Sequence, residues 1–191
     1  MKKTFTFWSA TFLIIFGMLT NVMAGGKPDR SNLKVVLIRH AEKPDNGYNL
    51  SCTGFNRALK LPEVLKSKFG IPNYIFVPSP STGKQTTNGR MMQTVLPFAV
   101  KYNLAINTNY DVDDVANLVQ KINTRTGTVL VVWEHKQLPK ILDLLGIKGS
   151  PNLKWAPDDY DSIYIVTFPK GKKGVLTVDK ENIHPTATCE F

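Results

Sequence analysis

The chain has 191 residues, 42% of them hydrophobic and 20% charged, with a formal net charge of +9. That length suits one domain with a sizeable core, and the composition shows no internal repeat or low-complexity tract. The positive surplus suits anionic ligands, phosphorylated ones included. The basic residues are scattered, with one dense run at Lys170–Lys173 and no recognition motif, which argues against nucleic acid as a partner.

The first 24 residues read as a secretory signal peptide. Lys2 and Lys3 form its positive start, Phe5 to Leu19 its apolar stretch, and Val22-Met23-Ala24 its cleavage site. The apolar stretch is shorter than the roughly 20 residues a bilayer span needs, and Ser9 and Thr11 interrupt it. Cleavage after Ala24 leaves 167 residues, and the loss of Lys2 and Lys3 takes the charge from +9 to +7. The expected destination is the bacterial periplasm or the medium, with no stable membrane span.

Lys34 to Ile38 is a β-branched run that predicts a buried strand. A helical pattern follows over Thr53 to Phe69, with Thr53 as N-cap, Gly70 at the end and Pro62 expected to kink or divide it. Tyr74 to Val77 predicts a second strand, and Pro78 to Gly89 (PSPSTGKQTTNG) an exposed loop. Arg90 to Tyr102 predicts a helix despite Pro97. Asp111 to Ile122 predicts another, with Val112, Val115, Leu118 and Ile122 on one face.

Thr128 to Trp133 (TVLVVW) is the strongest central-strand candidate. Glu134 and His135 follow at once, then a short helix with Leu138, Ile141, Leu142 and Leu145 on one stripe. Ser162 to Phe168 and Gly174 to Val178 are two further strands joined by a basic turn. This alternation predicts an α/β fold, a three-layer α/β/α sandwich on a mostly parallel central sheet. Ligands sit at the carboxyl ends of strands in such sheets. Arg39-His40 and Glu134-His135 both fall at such ends.

Cys52 and Cys189 are the two cysteines, and in an oxidising compartment an even pair is a candidate disulfide. The bridge would tie the C-terminus to the segment after Arg39-His40, for an upper value of roughly 4–5 kcal/mol in the chain-entropy model. Two free thiols are the alternative.

A neutral imidazole is a good nucleophile, and histidine titrates in the physiological range. Phosphoryl transfer asks for an in-line nucleophile and positive charge around three oxygens, and a guanidinium matches phosphate geometry and stays ionised. Arg39 can therefore hold a phosphate where His40 attacks it. Arg90 could enter the same pocket, and His135 could serve as a second cationic donor. HExxH and HxH spacings are absent, and arginine beside a ligand would repel a cation, so no metal is called for. Without a G-x-S-x-G elbow, serine hydrolase chemistry is poorly supported. His184 lacks a strand-end context and is expected at the surface.

LIRHAEKP, LSCTGFNRA, GRMMQTVLPFA and VLVVWEHKQLPKIL, in this order, resemble the histidine phosphatase superfamily. The likeness is to its phosphoglycerate-mutase-like branch, in a short exported bacterial form. It spans Lys34 to Leu145, and YDSIYIV fits the later strand of that family. The resemblance implies a phosphomonoesterase that needs no metal or other cofactor, with His40 transiently phosphorylated. Arg39 and Arg90 would bind the phosphate, and His135 would complete the pocket. The substrate would be a phosphorylated small molecule or a cell-envelope phosphate, with Lys43 on the substrate side of its loop. Where the family has RHG, this chain has Arg39-His40-Ala41. For the acid that protonates the leaving oxygen the order of candidates is Glu134, then Asp113, with Asp111, Asp114 and Glu42 behind them. Strand alternation would point Glu134 and His135 apart. A catalytically weak phosphate- or polyanion-binding protein on the same fold is the alternative.

Overall fold

The computed structural model describes residues 29–81, 85–147, 149, 153–189 and 191. The expected signal peptide and its cleavage site lie outside the described residues.

Strand β1 (Leu33–Arg39) enters the middle of the sheet. Helix α1 (Cys52–Phe69), strand β2 (Tyr74–Phe76), helix α2 (Gly89–Tyr102), the two-residue strand β3 (Ile106–Asn107), helix α3 (Val115–Ile122), strand β4 (Gly127–Trp133) and helix α4 (Leu138–Leu144) follow in order. Strands β5 (Ser162–Thr167) and β6 (Val175–Lys180) close the chain. The six strands are ordered β3-β2-β4-β1-β5-β6, and among them only β5 runs against the rest. The sheet is therefore mostly parallel, as the alternation of elements predicts.

Its central strands bury both faces, which is why they read as continuous apolar runs while their side chains alternate between two cores. Val35, Leu37, Val129, Val131 and Trp133 pack with α3 and α4. Val36, Ile38, Leu130 and Val132 pack on the other face with Leu61 and Leu65 of α1 and Val95, Phe98 and Ala99 of α2. Helices on both faces make the three layers. No helix among the described residues is long and apolar enough to cross a membrane.

Three local expectations are corrected. Helix α1 is capped by Ser51, whose hydroxyl accepts from the Gly54 amide at 3.1 Å, so Thr53 lies inside the first turn. Pro62 neither divides nor ends α1, because it is buried together with Ala58, Leu61 and Leu65 and packing compensates for the missing donor. The third helix starts at Val115, since Asp114 takes the capping position and accepts from the Asn117 amide. Val112 lies outside that helix yet packs against the core, and its carbonyl accepts from Trp133 Nε1 at 2.9 Å. Strand β3 has no alternating pattern of its own; it exists through pairing of Ile75 with Ile106 and Phe76 with Asn107.

The last residues form a strap across α1. Cys52 and Cys189 are disulfide-bonded. Asn56, 5% exposed, donates to the Thr186 and Thr188 carbonyls at 3.0 and 2.7 Å. On the opposite side of the helix start, a Cβ on Gly54 would sit 2.1 Å from the Glu42 carbonyl oxygen, so backbone meets backbone there. Gly54→Ala is expected to cost about 1–3 kcal/mol by overpacking, with the loss visible in urea unfolding. An unchanged unfolding midpoint would contradict this close approach.

Candidate active site

β1 and β4 pair in parallel from Leu33↔Gly127 to Arg39↔Trp133. The ladder continues one step further, the His40 amide donating to the Trp133 carbonyl at 3.2 Å. His40 and Glu134 thus leave neighbouring strands side by side. They line a cavity of about 120 Å³ with Thr87, Asn88, Arg90 and Met91 from the start of α2. Arg39 and His135 lie next to it, close enough for their charge to act on the His40 ring.

His40 is 4% exposed. Its Nδ1 is 2.7 Å from the Ala41 carbonyl oxygen. A carbonyl only accepts, so Nδ1 carries the proton and the Nε2 lone pair is left free on a residue that lines the cavity. Burial is the main cause that pushes this imidazole down to about 4, with Arg39, Arg90 and His135 adding to it against the Ala41 contact. At neutral pH the ring is neutral and nucleophilic.

The turn behind it is held from several directions. The buried Ala41 donates its amide to Thr94 Oγ1 at 2.9 Å, and that hydroxyl donates to the Arg90 carbonyl at 2.8 Å. Outside glycine, positive φ occurs among the described residues at Ser81, Asn103 and Asn182. Ala41 is not among them, so the backbone freedom of a glycine is not required at this position. The Glu42 carbonyl accepts from the Ser51 amide at 3.0 Å and hydroxyl at 3.2 Å.

The other sequence candidates separate clearly by position. Arg39 is buried, but its guanidinium faces the 156–160 loop. Nη1 donates to the carbonyls of Ala156, Pro157 and Asp159, and Nη2 to the Tyr160 hydroxyl, over whose ring the group stacks at 3.9 Å. Its buried Nε has no hydrogen-bond partner. Arg90 lines the cavity while Nε and Nη2 donate to the Asn49 and Gly47 carbonyls. His135 keeps a buried Nδ1 without a partner. Its pKa is pushed down to about 4, mostly by burial and then by Arg39, Lys136 and Lys43. Lys43 is exposed and within electrostatic reach of His135.

Of the acid candidates, Glu134 alone lines the cavity beside His40. β4 ends at Trp133, so strand alternation does not govern where Glu134 and His135 point. Asp113 accepts from Gln137 Nε2 at 2.5 Å, Asp114 caps α3, and Asp111 is exposed. Glu42 is committed to Arg57, which reaches it with Nε at 3.0 and 2.9 Å and Nη2 at 2.8 Å. His184 is exposed. Thr87 and Asn88 carry no motif signal, and Met91, Thr94 and Tyr160, though inside the quoted segments, are not singled out by the sequence; the packing of α2 and the 156–160 loop brings them here.

The chain matches no family model and no curated protein. Its fold matches that of the protein histidine phosphatase SixA complexed with tungstate, with a TM-score of 0.56 at 16% identity over 78% of this chain and 97% of that one. A phosphoserine phosphatase variant from Entamoeba histolytica, in complex with phosphoserine, gives 0.52 at 16% identity over 78% and 97%. A phosphoglycerate mutase from Plasmodium falciparum gives 0.51 at 12% identity over 81% and 94%. The protein therefore has the phosphoglycerate-mutase-like fold of the histidine phosphatase superfamily.

A histidine whose folded pKa lies below its unfolded value near 6.5 binds protons more tightly when unfolded. Its contribution therefore lowers stability as pH falls from about 6.5 toward 4. In an NMR titration the His40 ring is expected to change charge near pH 4. A midpoint near 6.5 would show that burial does not govern this imidazole.

Proposed function

We propose that the protein is an exported, metal-independent phosphomonoesterase acting through a phosphohistidine on His40. The observation that carries this reading is the His40 ring itself: Nδ1 is occupied by the Ala41 carbonyl, which leaves Nε2 for chemistry, and the residue lines a cavity shared with Arg90 and Glu134. The solved structures of the same fold are phosphatases and a mutase, one holding phosphoserine, and this agrees with phosphate ester chemistry.

In the first half-reaction His40 Nε2 attacks phosphorus, the bond to the leaving oxygen breaks, and Glu134 supplies that oxygen with a proton. In the second, the Glu134 carboxylate takes a proton from water, whose oxygen attacks phosphorus. The phosphorus–nitrogen bond breaks and its electron pair returns to Nε2. Arg90 and His135 face the charge on the phosphoryl oxygens, while Arg39, held on the 156–160 loop, adds its positive charge from beside the cavity; preorganised groups of this kind need no rearrangement as that charge moves. Lys43 meets the rest of the substrate, a phosphorylated small molecule or a cell-envelope phosphate. Export rests on the N-terminal segment and agrees with the Cys52–Cys189 bond.

The engagement of Arg39 with three backbone carbonyls favours a second reading, a phosphate-binding protein with weak catalysis. One comparison separates the two. The wild type should hydrolyse both an activated aryl phosphate and an alkyl phosphate, and His40→Ala neither. Glu134→Gln should lose about 10²–10⁴-fold on the alkyl ester, whose leaving oxygen needs the proton, and far less on the aryl ester. Phosphate binding without any His40-dependent turnover would replace the enzyme with the binding protein.

A further inference from the structure

The most heavily connected polar group behind the site is Arg57, one turn into α1 and 6% exposed. Besides its contacts to Glu42, its Nη1 donates to Glu181 Oε2 at 2.8 Å, and Asp161 lies at 3.7 Å. Glu181 is 3% exposed and belongs to the C-terminal strap, where its amide donates to the Asp161 carbonyl at 2.7 Å. One guanidinium therefore joins three carboxylates from three parts of the chain.

Glu42 stands two residues after His40. Four holds fix the turn between them: the His40 amide on Trp133, the Ala41 amide on Thr94, the Glu42 carbonyl on Ser51, and the Glu42 carboxylate on Arg57. The last reaches the strap by side chains alone, through Glu181. The Ala41 carbonyl, which determines the tautomer of His40, is the peptide oxygen just before Glu42. A Glu42 that swings away carries that oxygen with it, and His40 then loses the contact that keeps Nε2 unprotonated and directed.

We propose that Arg57 is a positioning residue for His40. It anchors Glu42 so that the Ala41 carbonyl stays on Nδ1, and the C-terminal strap, bonded at Cys189, steadies Arg57 through Glu181. The motif beginning at Arg39 then depends on residues more than 120 positions later in the chain. This role rests on His40 being the nucleophile, as proposed above.

The test uses the full mature chain, with Glu42→Gln, Arg57→Lys and Arg57→Gln compared with wild type at a temperature where circular dichroism shows each folded. Two quantities are read: steady-state hydrolysis of p-nitrophenyl phosphate and the His40 ring tautomer from ¹⁵N NMR. Glu42→Gln and Arg57→Gln are expected to lower kcat about 10- to 100-fold, the range that small misplacement of a reacting group commands. KM should change less than about threefold, and His40 should pass from pure Nδ1–H to a mixture of tautomers. Arg57→Lys, keeping one ion pair, should fall between. Folded variants with wild-type kcat and an unchanged tautomer would overturn the proposal. Should Arg57→Gln fail to fold because it strands buried carboxylates, Glu42→Gln decides alone. Absence of turnover in the wild type overturns the phosphatase reading instead, and the tautomer in Glu42→Gln still decides the role of Arg57.

Discussion

Parallel pairing of β1 with β4, residue for residue from Leu33↔Gly127 to Arg39↔Trp133, places two strand ends at the same height in the sheet. Everything proposed for the site depends on that register. A slip of one residue would exchange the side chains facing the two helical layers, moving Val36 and Ile38 into the space of Val35 and Leu37. Burial on both faces penalises such a slip at every position, so the core holds the register and the register holds His40 beside Glu134. The extra hydrogen bond from His40 to Trp133 extends this rigidity one residue past the strand, to the proposed reacting group. Catalytic side chains placed this way inherit the precision of the sheet rather than the mobility of a loop.

The chemistry proposed for the site follows from charge gathered around a buried imidazole. Burial, reinforced by neighbouring arginines, keeps His40 neutral, while the Ala41 carbonyl selects which nitrogen stays free. Cations that disfavour a protonated imidazole favour a phosphoryl dianion, so one arrangement would serve both the nucleophile and the target of the proposed reaction. Arg90 is tied to the 47–49 segment and Arg39 to the 156–160 loop, so each cation is already held in place. Such pre-organisation removes side-chain ordering from the cost of binding.

Much of this is legible in the sequence, for identifiable reasons. Long apolar runs such as TVLVVW mark central strands, and polar or ionisable residues directly after them mark strand ends, which is why Arg39-His40 and Glu134-His135 stand out. The edge strand at Ile106–Asn107 is invisible because two residues carry no period. Ser51 and Thr53 both satisfy the rule for an N-cap, and the choice falls to Ser51 through the Glu42 carbonyl, a contact with a separate turn. Glu134 could not be separated from Asp111, Asp113, Asp114 and Glu42 by residue type. Their fates differ through tertiary partners: Gln137 for Asp113, the start of α3 for Asp114, Arg57 for Glu42. The cluster at Arg57 was equally hidden, since Arg57 and Glu181 alone are separated by 124 positions.

The most direct test of the central claim is the position of the phosphoryl group on the trapped intermediate. The protein is mixed with an aryl phosphate, quenched in alkali within milliseconds, digested and analysed by mass spectrometry with authentic phosphohistidine standards. Phosphate on Nε2 of His40 is the result predicted by the Nδ1 contact to Ala41. Phosphate on Nδ1, or on His135, would contradict it.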